Sequence, residues 1–389
     1  MFLVKYKVVI YFVLNVYTPN TALINRFLAF VKGFEELGVS YRIVVISPNQ
    51  SFDRLNNIYD SRTTYLWMYK RSSVRWINKV QYYVWSRFLS SLFFKRFVHK
   101  LKKNDIVVLF SGMHYLHLLL KKISDCKIYH ERTEHPDVYS VFHSERKKRQ
   151  YLDDCRRLSG LFVISESLKK TFIELGVDSS RIHILNMVVD SSRFENLQKS
   201  QITEKYIAYC GTVSNEKDGV DDLIRSFAVV ARKNKYIKLY VIGPTPSSKE
   251  STYNLELIRT LDLTDKIVIT GRIPSQQMPL ILKNAQVLVL ARPNSLQAQN
   301  GFPTKLGEYL LTENPVVITR TGDIPLFLKD GVSALLAEPG NIMDIANKIC
   351  WALEHPQEAA QIGWNGSQVA RRYFNYKIES KKLYSIIIN

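Results

Sequence analysis

The sequence predicts an α/β protein built from two domains of similar size, each a parallel sheet covered by helices. At 389 residues the chain is too long for one ordinary hydrophobic core. Short apolar runs rich in β-branched residues alternate with amphipathic segments of helical period, which is the pattern of parallel strands joined by helices. An apolar content of 46% with 16 glycines and 13 prolines is typical of a globular protein rather than of a disordered chain.

The net charge limits the kinds of binding partner, and the cysteines indicate the cellular compartment. The formal net charge of +19 calls for a partner of opposite sign, and nucleic acid, anionic lipid and phosphorylated small molecules are the candidates. The sequence has no zinc-finger, RRM-type or helix-turn-helix signature, so we do not expect nucleic acid. The four scattered cysteines form no C-x-x-C pair and have no histidine at metal-ligand spacing, which predicts reduced thiols in a cytoplasmic protein and no bound metal.

The first domain is predicted to span residues 1–190 and to open with a buried strand. The opening segment resembles a secretory signal, but its short core, Val8 to Leu14, is rich in β-branched and aromatic residues and favours a strand. A helix that Gly38 stops and a strand from Tyr41 to Ile46 complete a βαβ unit. The loop that begins at Asn15 therefore lies at the carboxyl edge of the sheet, where ligands bind.

The segment from Arg62 to Lys103 is basic and aromatic and contains no Asp or Glu. Arg75 and Lys79 are displaced around the helix from a stripe of apolar residues at helical spacing. The stripe comprises Val74, Ile77, Val80, Val84, Phe88 and Leu92. Helices of this kind are typical of anionic membrane surfaces, whereas the alternative is a stripe that belongs to the core. No apolar run reaches the roughly 18 residues that a spanning helix requires, so the segment predicts peripheral association.

Three polar side chains lie at the carboxyl end of a predicted strand in the middle of the first domain. Strands are expected at Asp105 to Ser111 and at Lys127 to His130, and the second is followed by Glu134 and His135. A histidine titrates near neutral pH and can bond a hydroxyl or shuttle a proton, so His130 is a candidate catalytic residue. A purely structural role for His130 is the alternative.

The remainder of the first domain is predicted as a strand from Leu161 to Ser165, a helix beginning at Glu166 and a strand from Arg181 to Leu185. A polar stretch, residues 191–204, is the predicted linker. The second domain is predicted to span residues 205–370. Residues 371–389 are expected to form a helix that crosses back to the first domain.

The second domain opens with a predicted buried strand, Tyr206 to Cys210, and a loop that begins at Gly211 and carries Lys217. This loop feeds a predicted helix from Asp221 to Ala231. Backbone amides and a lysine in such a position can bind a diphosphate. Because glycine after a strand is common, the loop becomes informative only together with a second element near residue 300.

That second element is a predicted strand, Val287 to Leu290, followed by a polar loop and a helix that Pro303 opens. Free backbone amides at Thr304 and Lys305 would attract phosphate, and the lysine adds a mobile positive charge. A further cation, Arg292, follows the strand and is the candidate for a second phosphate contact.

One turn beyond Lys305, Glu308 can accept two hydroxyl hydrogen bonds of the kind that a ribose offers. Together these side chains predict a site for a nucleoside diphosphate. The alternative is an ordinary strand-loop-helix crossover whose polar residues are there by chance.

Asn300 and Glu308, separated by seven residues, resemble the E-x7-E signature of glycosyltransferase family four, the retaining GT-B enzymes, with Asn in place of the first Glu. The loop from Gly211 to Gly219 resembles the G-R-L-x-x-x-K loop of that family, with Thr212 where Arg is usual. Asn186 to Asp190 resembles the N-G-V-D sequence that ends the first domain. The resemblance implies the GT-B class, with two Rossmann-like domains facing each other across a cleft.

The resemblance also implies roles for individual residues. In the family the second Glu of the signature holds the ribose and the first contacts the donor sugar, while the loop near Ile273 receives the base through backbone groups, so UDP and GDP cannot be separated. The implied donor-binding residues are Gly211, Lys217, Ile273, Arg292, Asn300, Thr304, Lys305 and Glu308. Asn15, Glu134 and His135 are implied on the acceptor side, with His130 near the reacting sugar. The chain has no D-x-D triplet, so no metal cofactor is expected.

The function implied is transfer of a sugar, with retention, from a nucleotide diphosphate sugar to a saccharide or lipid-linked acceptor in surface polysaccharide or glycolipid synthesis. The protein would work in the cytoplasm, at the inner face of the membrane. Asn300 and Thr212 leave open a non-catalytic protein that keeps the nucleotide site. An epimerase and a phosphorylase of the same fold are further alternatives, but the acids of the one and the cofactor lysine of the other are not found.

Overall fold

The structure is a computed structural model that describes residues 8–15, 21–46, 49–50, 61–69, 72–111, 115–139, 144–200, 204–245 and 248–389. Of the predicted loop that begins at Asn15, residues 16–20 lie outside this range. The chain divides into two compact units, Met1–Leu185 with Glu379–Asn389, and Asn186–Ile378. Each unit contains a parallel sheet with helices, which confirms the predicted α/β class.

The first unit contains a seven-stranded parallel sheet in the order β4-β2-β1-β6-β7-β8-β9, and a separate pair of short strands, β3 and β5. Its central strands are continuous apolar runs because helices cover both faces of a parallel sheet. The strands are β1 (Ile10–Leu14), β2 (Tyr41–Val45), β3 (Asn49–Gln50), β4 (Thr63–Tyr65), β5 (Met68–Tyr69), β6 (Ile106–Leu109), β7 (Lys127–Arg132), β8 (Gly160–Val163) and β9 (Ile182–Ile184).

Helices connect these strands, and the first shows how the sequence sets their ends. The hydroxyl of Thr21 accepts a hydrogen bond from the amide of Ile24 at the start of α1, and Gly38 follows its end with a φ of +66°. The helices are α1 (Ala22–Glu36), α2 (Arg75–Val84), α3 (Ser90–Lys100), α4 (Leu116–Leu119), α5 (Glu145–Arg156) and α6 (Glu166–Glu174), with a π-helical turn at Trp85–Leu89 and 3-10 turns at Leu120–Lys122, Pro136–Val138 and Ser179–Arg181.

The second unit contains a six-stranded parallel sheet in the order β12-β11-β10-β13-β14-β15. Counted within the unit this is the 3-2-1-4-5-6 order of a Rossmann sheet, whose direction of winding reverses between β10 and β13. The strands are β10 (Tyr206–Cys210), β11 (Lys238–Ile242), β12 (Ile267–Gly271), β13 (Val287–Leu290), β14 (Val316–Thr319) and β15 (Leu335–Ala337).

The helices of the second unit surround this sheet, and the last helix of the chain begins in this unit and continues into the first. A 3-10 turn at Ser191–Phe194 lies within the stretch that was predicted as linker. The predicted helix from Pro303 begins two residues later, at Lys305, with Thr304 as its N-cap residue. The helices are α7 (Asn215–Asp218), α8 (Val220–Lys233), α9 (Ser248–Thr260), α10 (Met278–Asn284), α11 (Leu296–Asn300), α12 (Lys305–Leu311), α13 (Ile324–Phe327), α14 (Ile342–Glu354), α15 (Pro356–Tyr373) and α16 (Tyr376–Ile388).

From Glu379 onward the chain belongs to the first unit. The hydroxyl of Ser380 donates to the carbonyl oxygen of Phe30 at 3.4 Å, and the ring of Tyr384 meets Phe34 edge-on at 5.9 Å. These contacts anchor the final helical turns against α1.

The basic and aromatic segment forms α2, the π-helical turn and α3. Its aromatic residues divide between two environments: Trp85, Phe94 and Phe97 are buried, whereas Trp76 and Phe88 are 64% and 65% exposed. All but one member of the predicted apolar stripe is exposed, and Ile77 is half-buried. The alternative in which this stripe forms core is therefore wrong. Within the described residues, no helix has both the length and the apolar content needed to cross a membrane.

Candidate functional site

The candidate site of the second unit lies at the point where its sheet reverses direction. Strands β10 and β13 are hydrogen-bonded neighbours, with Ile207 opposite Val287, and their carboxyl ends lead to Gly211 and Arg292. Ligands of open parallel sheets bind at this position. The two elements singled out in the sequence are thus brought together by strand pairing across some 80 residues of chain.

Side-chain hydrogen bonds hold the loop after β10 in place. Ser214 caps α7, because its hydroxyl oxygen accepts a hydrogen bond from the amide of Lys217 at 3.4 Å. The carboxylate of Glu250 accepts from the Ser214 hydroxyl at 3.0 Å and from the Asn215 amide at 2.9 Å. Gly219 has a φ of +64°, and a β-carbon there would lie 1.9 Å from the carbonyl oxygen of Ala291. Only glycine therefore permits the loop to approach the end of β13 so closely.

Lys305 is held at the site by a buried carboxylate that the sequence analysis missed. Its Nζ lies 2.5 Å from Oδ2 of Asp218 and 3.2 Å from the hydroxyl of Tyr209, which itself donates to Asp218 at 2.8 Å. Burial alone would raise the pKa of Asp218, but the cations of Lys305 and Arg292 outweigh it and the pKa is lowered. Burial lowers the pKa of Lys305, and Asp218 opposes that change. Each charge of the pair therefore favours the ionised form of the other.

Gly211 is required by the position of Lys305. A β-carbon on Gly211 would lie 2.0 Å from Nζ and 2.7 Å from Cε of Lys305. The glycine predicted for backbone approach to a phosphate thus makes room for the lysine ammonium. Tyr309, one turn further along α12, contacts both backbone groups of Cys210: its hydroxyl oxygen accepts from the amide at 2.5 Å, and the hydroxyl donates to the carbonyl at 3.1 Å. These contacts join α12 to the end of β10.

Arg292 is buried beside the Lys305 and Asp218 pair. Its charge helps to lower the pKa of Asp218, and its side chain is buried. Its Nη2 donates to the carbonyl oxygen of Gln297 at 3.4 Å, and its own carbonyl oxygen accepts from the hydroxyl of Thr319 at 2.7 Å. With Lys217, which also acts on the pKa of Lys305, the cluster has three cations and one carboxylate. Its net positive charge suits a diphosphate.

Glu308 lies in the first turn of α12 and forms an ion pair with Arg193. The second guanidinium nitrogen, Nη2 of Arg193, donates to the carbonyl oxygen of Ser275 at 2.9 Å. Arg193 lies in the stretch predicted as linker and was not among the predicted site residues. The charge of Glu308 is thereby balanced within the same unit.

The other predicted donor residues occupy the surrounding loops. Asn300 is the last residue of α11, is buried, and donates from Nδ2 to the carbonyl oxygen of Leu296 at 3.0 Å. Thr304 precedes α12, and Ile273 is half-buried in the loop that follows β12. The thiol of Cys210 also belongs to this region, and burial raises its pKa to about 12, so it is protonated at neutral pH.

In the first unit, Asn15 lies at the analogous reversal of the sheet, between β1 and β6. Its amide donates to the hydroxyl of Ser111 at 2.7 Å. Glu134 and His135 follow β7 and are half-buried. Nδ1 of His135 accepts from the amide of Asp137 at 3.1 Å and caps a 3-10 turn. Burial lowers its pKa.

His130 lies inside β7, which extends two residues beyond the predicted end of the strand, and its side chain is 0% exposed. Its Nδ1 is 3.0 Å from the carbonyl oxygen of Leu109, and its ring meets Tyr151 edge-on at 6.2 Å. Burial, and then the charge of Arg132, lower its pKa to about 3. This enclosure favours the structural alternative for His130 over the catalytic role, which stays a prediction.

The first unit also contains a buried ion pair that sequence analysis did not single out. Nε of Arg26 lies 2.9 Å from Oε1 of Glu131, and its Nη2 donates to the carbonyl oxygen of Leu185 at 3.0 Å. The pair ties α1 to β7 and to the end of the unit. Neither residue belongs to a recognisable motif, so the sequence carried no signal for it.

Both the sequence and the fold of this chain are similar to those of known proteins. Residues 204–355 match the model of the family described as "Glycosyl transferases group 1". The structure of Anabaena Alr3699/HepE in complex with UDP and glucose superposes with a TM-score of 0.75, covering 97% of this chain and 99% of that chain at 15% identity. The family match and the curated glycosyltransferases among the relatives support the resemblance to glycosyltransferase family four. The predicted GT-B class is confirmed.

The curated relatives match only part of this chain, at low sequence identity. Mannosylfructose-phosphate synthase of Agrobacterium fabrum is 22% identical over 228 residues, which cover 55% of this chain and 49% of the relative. The capsular polysaccharide biosynthesis glycosyltransferase CapM of Staphylococcus aureus is 26% identical over 245 residues, covering 58% of this chain and 60% of the relative. The chain spans about half the length of the curated relatives it matches.

Proposed function

We propose that the protein transfers a sugar from a nucleotide diphosphate sugar, with UDP favoured over GDP, to a saccharide or lipid-linked acceptor with retention of configuration. We propose further that it serves surface polysaccharide or glycolipid synthesis in the cytoplasm, at the inner face of the membrane. One observation carries the proposal: Lys305 and Glu308 lie on one helix beside the loop that follows β10, at the reversal point of a Rossmann sheet. Phosphate and ribose are the groups that this pair recognises.

The relatives support the finer parts of the proposal. HepE is described in complex with UDP and glucose, which favours a UDP-sugar donor here. CapM is described as acting in capsular polysaccharide biosynthesis, which favours a surface polysaccharide as product. The epimerase and phosphorylase alternatives receive no support from these proteins.

The proposed mechanism rests on charge compensation. As the glycosidic bond breaks, negative charge develops on the departing nucleoside diphosphate, and Lys217, Lys305 and Arg292 supply a fixed positive field. Asp218 holds the ammonium of Lys305 in place before the reaction, so that less reorganisation is required. These side-chain cations can stabilise the leaving group themselves, so we do not expect a metal cofactor. Retention is proposed by attack of an acceptor hydroxyl oxygen on the same face of the sugar that the leaving group vacates, with the hydroxyl proton passing to the departing diphosphate.

The acceptor is proposed to bind to the first unit, near Asn15, Glu134 and His135. Asn15 follows the strand next to the reversal point of that sheet, where ligands of such sheets bind. His130 is not given a proton-transfer role because its imidazole is buried and, with a pKa of about 3, neutral at physiological pH. Its proposed role is to hold β6 and β7 together through Leu109.

The exposed face of α2 and its π-helical turn is proposed to bind an anionic membrane surface. Trp76, Tyr83 and Phe88 are 64%, 60% and 65% exposed, and the exposed cations Arg75 and Lys79 lie beside them. Aromatic rings and basic residues on one helix suit the boundary between anionic headgroups and acyl chains. A lipid-linked acceptor would be reached from this position.

A second candidate function, a protein that binds the nucleotide sugar without turning it over, is favoured by Asn300 and Thr212. Asn300 cannot supply the negative charge of the family glutamate, and its amide donates to Leu296 within α11. Thr212 cannot supply the charge of the family arginine. Turnover therefore has to be measured separately from binding.

The experiment that tests the proposal begins with a thermal-shift screen of nucleotide sugars, because a ligand that binds only the folded state raises its stability. Release of free sugar from the donor that shifts the melting temperature most is then measured over hours. We expect slow hydrolysis without acceptor and faster consumption with one. Binding without hydrolysis or transfer would favour the second candidate.

Two variants assign the activity to the site. Lys305→Met and Glu308→Ala are each expected to reduce turnover at least about a hundredfold, since an electrostatic contact to a developing charge contributes on that order. The matched control is Lys233→Met, which removes an exposed lysine at the end of α8. Folded Lys305→Met and Glu308→Ala variants with full activity on every donor would exclude the proposed site.

A further inference from the structure

The guanidinium of Arg193 joins three parts of the second unit that are distant in sequence. It pairs with Glu308 at the start of α12 and donates from Nη2 to the carbonyl oxygen of Ser275, in the loop after β12, at 2.9 Å. Glu308 is the carboxylate proposed for the ribose, and the loop that contains Ser275 also contains Ile273, proposed for the base. Arg193 therefore connects the two parts of the site that would contact the nucleoside.

The turn that carries Arg193 is held firmly. Asp190 accepts hydrogen bonds from the amide of Ser192 at 3.1 Å and from its hydroxyl at 2.7 Å, which caps the 3-10 turn. Phe194 is buried, and the guanidinium of Arg193 lies 5.9 Å from its ring. These contacts fix the backbone on both sides of Arg193, and they therefore restrict the positions that its side chain can reach.

The chain before this turn lies directly against α12. A β-carbon on Gly307 would lie 2.6 Å from Cε of Met187 and 3.0 Å from Cγ1 of Val189. Both side chains are buried. Because only a residue without a side chain allows this approach, the contact between residues 187–194 and α12 is part of the fold and brings Arg193 to Glu308.

Stability alone does not account for the ion pair. The side chains of Arg193 and Glu308 are 28% and 18% exposed, so solvent reaches both, and pairs of this kind contribute little to folding. Arg193 contacts Oε1 of Glu308, and a carboxylate has a second oxygen that can accept a hydroxyl. The geometry suits orientation of the carboxylate rather than support of the core.

We propose that Arg193 is a positioning residue for the nucleoside part of the donor. It fixes the rotamer of Glu308 so that the carboxylate faces the ribose hydroxyls, and it holds the backbone at Ser275 in register with the base. The inference rests on the proposed function, because it presupposes a nucleoside diphosphate at this site. It predicts that loss of Arg193 weakens recognition of the ribose and leaves recognition of the diphosphate intact.

The test compares nucleotides with and without ribose hydroxyls. Binding of UDP, 2′,3′-dideoxy-UDP and pyrophosphate to the wild type, Arg193→Met and Arg193→Lys is measured by calorimetry, with GDP and its dideoxy form used in parallel. We expect Arg193→Met to bind UDP about tenfold more weakly, the loss of one charge-assisted contact. Binding of dideoxy-UDP, which keeps the base but not the ribose hydroxyls, should weaken less than binding of UDP, and binding of pyrophosphate should match that of the wild type. Arg193→Lys should recover part of the lost affinity for UDP, since lysine keeps the positive charge but cannot make the two contacts of the guanidinium at once.

The control variant is Arg232→Met, which removes an exposed arginine of α8 and should change none of these affinities. Equal weakening of UDP, dideoxy-UDP and pyrophosphate in Arg193→Met would mean a general structural defect and would overturn the inference. Tighter binding of UDP would mean that Arg193 competes with the ribose, and would also overturn it. If the wild type binds neither UDP nor GDP, the proposed function itself fails.

Discussion

The ammonium of Lys305 lies 2.5 Å from the carboxylate of Asp218, and the two residues belong to different βα units of the same sheet. Asp218 is buried and accepts a second hydrogen bond, from the hydroxyl of Tyr209, at 2.8 Å. The phosphate-binding lysine expected from the sequence is therefore half of an ion pair. Its position before donor binding depends on a residue in the opposite loop.

Replacing Asp218 with Asn should destabilise the protein. The substitution leaves the ammonium of Lys305 beside a neutral amide in a mostly buried position, and breaking a buried pair in this way costs about 3 kcal/mol of unfolding free energy. The Asp218→Asn, Lys305→Met double variant should lose less than the sum of the single variants, because the unpaired charge is gone. Urea unfolding followed by circular dichroism measures both quantities. Unchanged midpoints in Asp218→Asn would contradict the proposed dependence.

Gly211→Ala should impair nucleotide binding more than stability. The added methyl would lie 2.0 Å from Nζ of Lys305, so the flexible end of the lysine has to move away from Asp218. We expect affinity for UDP or GDP to fall about tenfold or more in calorimetry, the loss of one charge-assisted contact. Gly340→Ala is the control, since that glycine has a φ of +74° but nothing within 4 Å of a β-carbon. Equal affinities in the two variants would exclude steric displacement of Lys305.

His130 should make stability depend on pH. Its pKa is lowered by burial to about 3 in the folded state, below the ordinary value of 6.5, so the unfolded chain binds more protons between these values. The free energy of unfolding should therefore fall as the pH is lowered from about 6.5, by up to about 1.4 kcal/mol per pH unit for one proton. His130→Gln should reduce this dependence and, if His130 is structural, retain transferase activity. Chemical unfolding at several values between pH 5 and 7.5 measures how the free energy of unfolding depends on pH. The same dependence in His130→Gln as in the wild type would contradict the assignment to His130.

Membrane association is expected to need both the aromatic and the basic residues of α2 and its π-helical turn. The Trp76→Ser, Phe88→Ser double variant should bind vesicles containing anionic lipid at least about tenfold more weakly, because buried aromatic area is lost. Arg75→Gln with Lys79→Gln should reduce binding mainly at low salt, by about 1 kcal/mol for each charge. Vesicle sedimentation measures both. Tyr236→Ser, which removes an aromatic side chain that is 83% exposed in the second unit, is the control. Equal sedimentation with neutral and anionic vesicles would exclude the proposal.

The strands nearest the donor site could be predicted from the sequence because they are buried on both faces. Tyr206–Cys210 and Val287–Leu290 have the predicted bounds, since unbroken apolar runs of strand length admit few other structures. Once two parallel strands are known, the residues that follow them lie at the ligand-binding edge. Gly211, Arg292 and the start of α12 could therefore be named without coordinates.

The same reasoning failed where position depends on packing. His130 was expected at the carboxyl end of a strand, but β7 continues to Arg132, and Leu109 and Tyr151 enclose the imidazole. Periodicity revealed the stripe on α2, yet only the fold decides that Trp85 is buried while Trp76 is exposed. Helical periodicity predicts that a helix has an apolar face, but it does not predict whether that face is buried or exposed to solvent.

The sequence by itself determined the class of the fold, the strands that precede the two loops of the candidate site and the helix that carries Lys305 and Glu308. Local patterns suffice for these because hydrophobic period and turn residues act over short distances. Only the tertiary structure decided that Asp218 holds Lys305 and that Arg193 holds Glu308, pairs separated by 87 and 115 residues. Local sequence patterns do not specify which charged side chains form ion pairs when two loops distant in sequence lie at the same edge of a sheet. The pairing of the strands brings those loops together and so decides which ion pairs form.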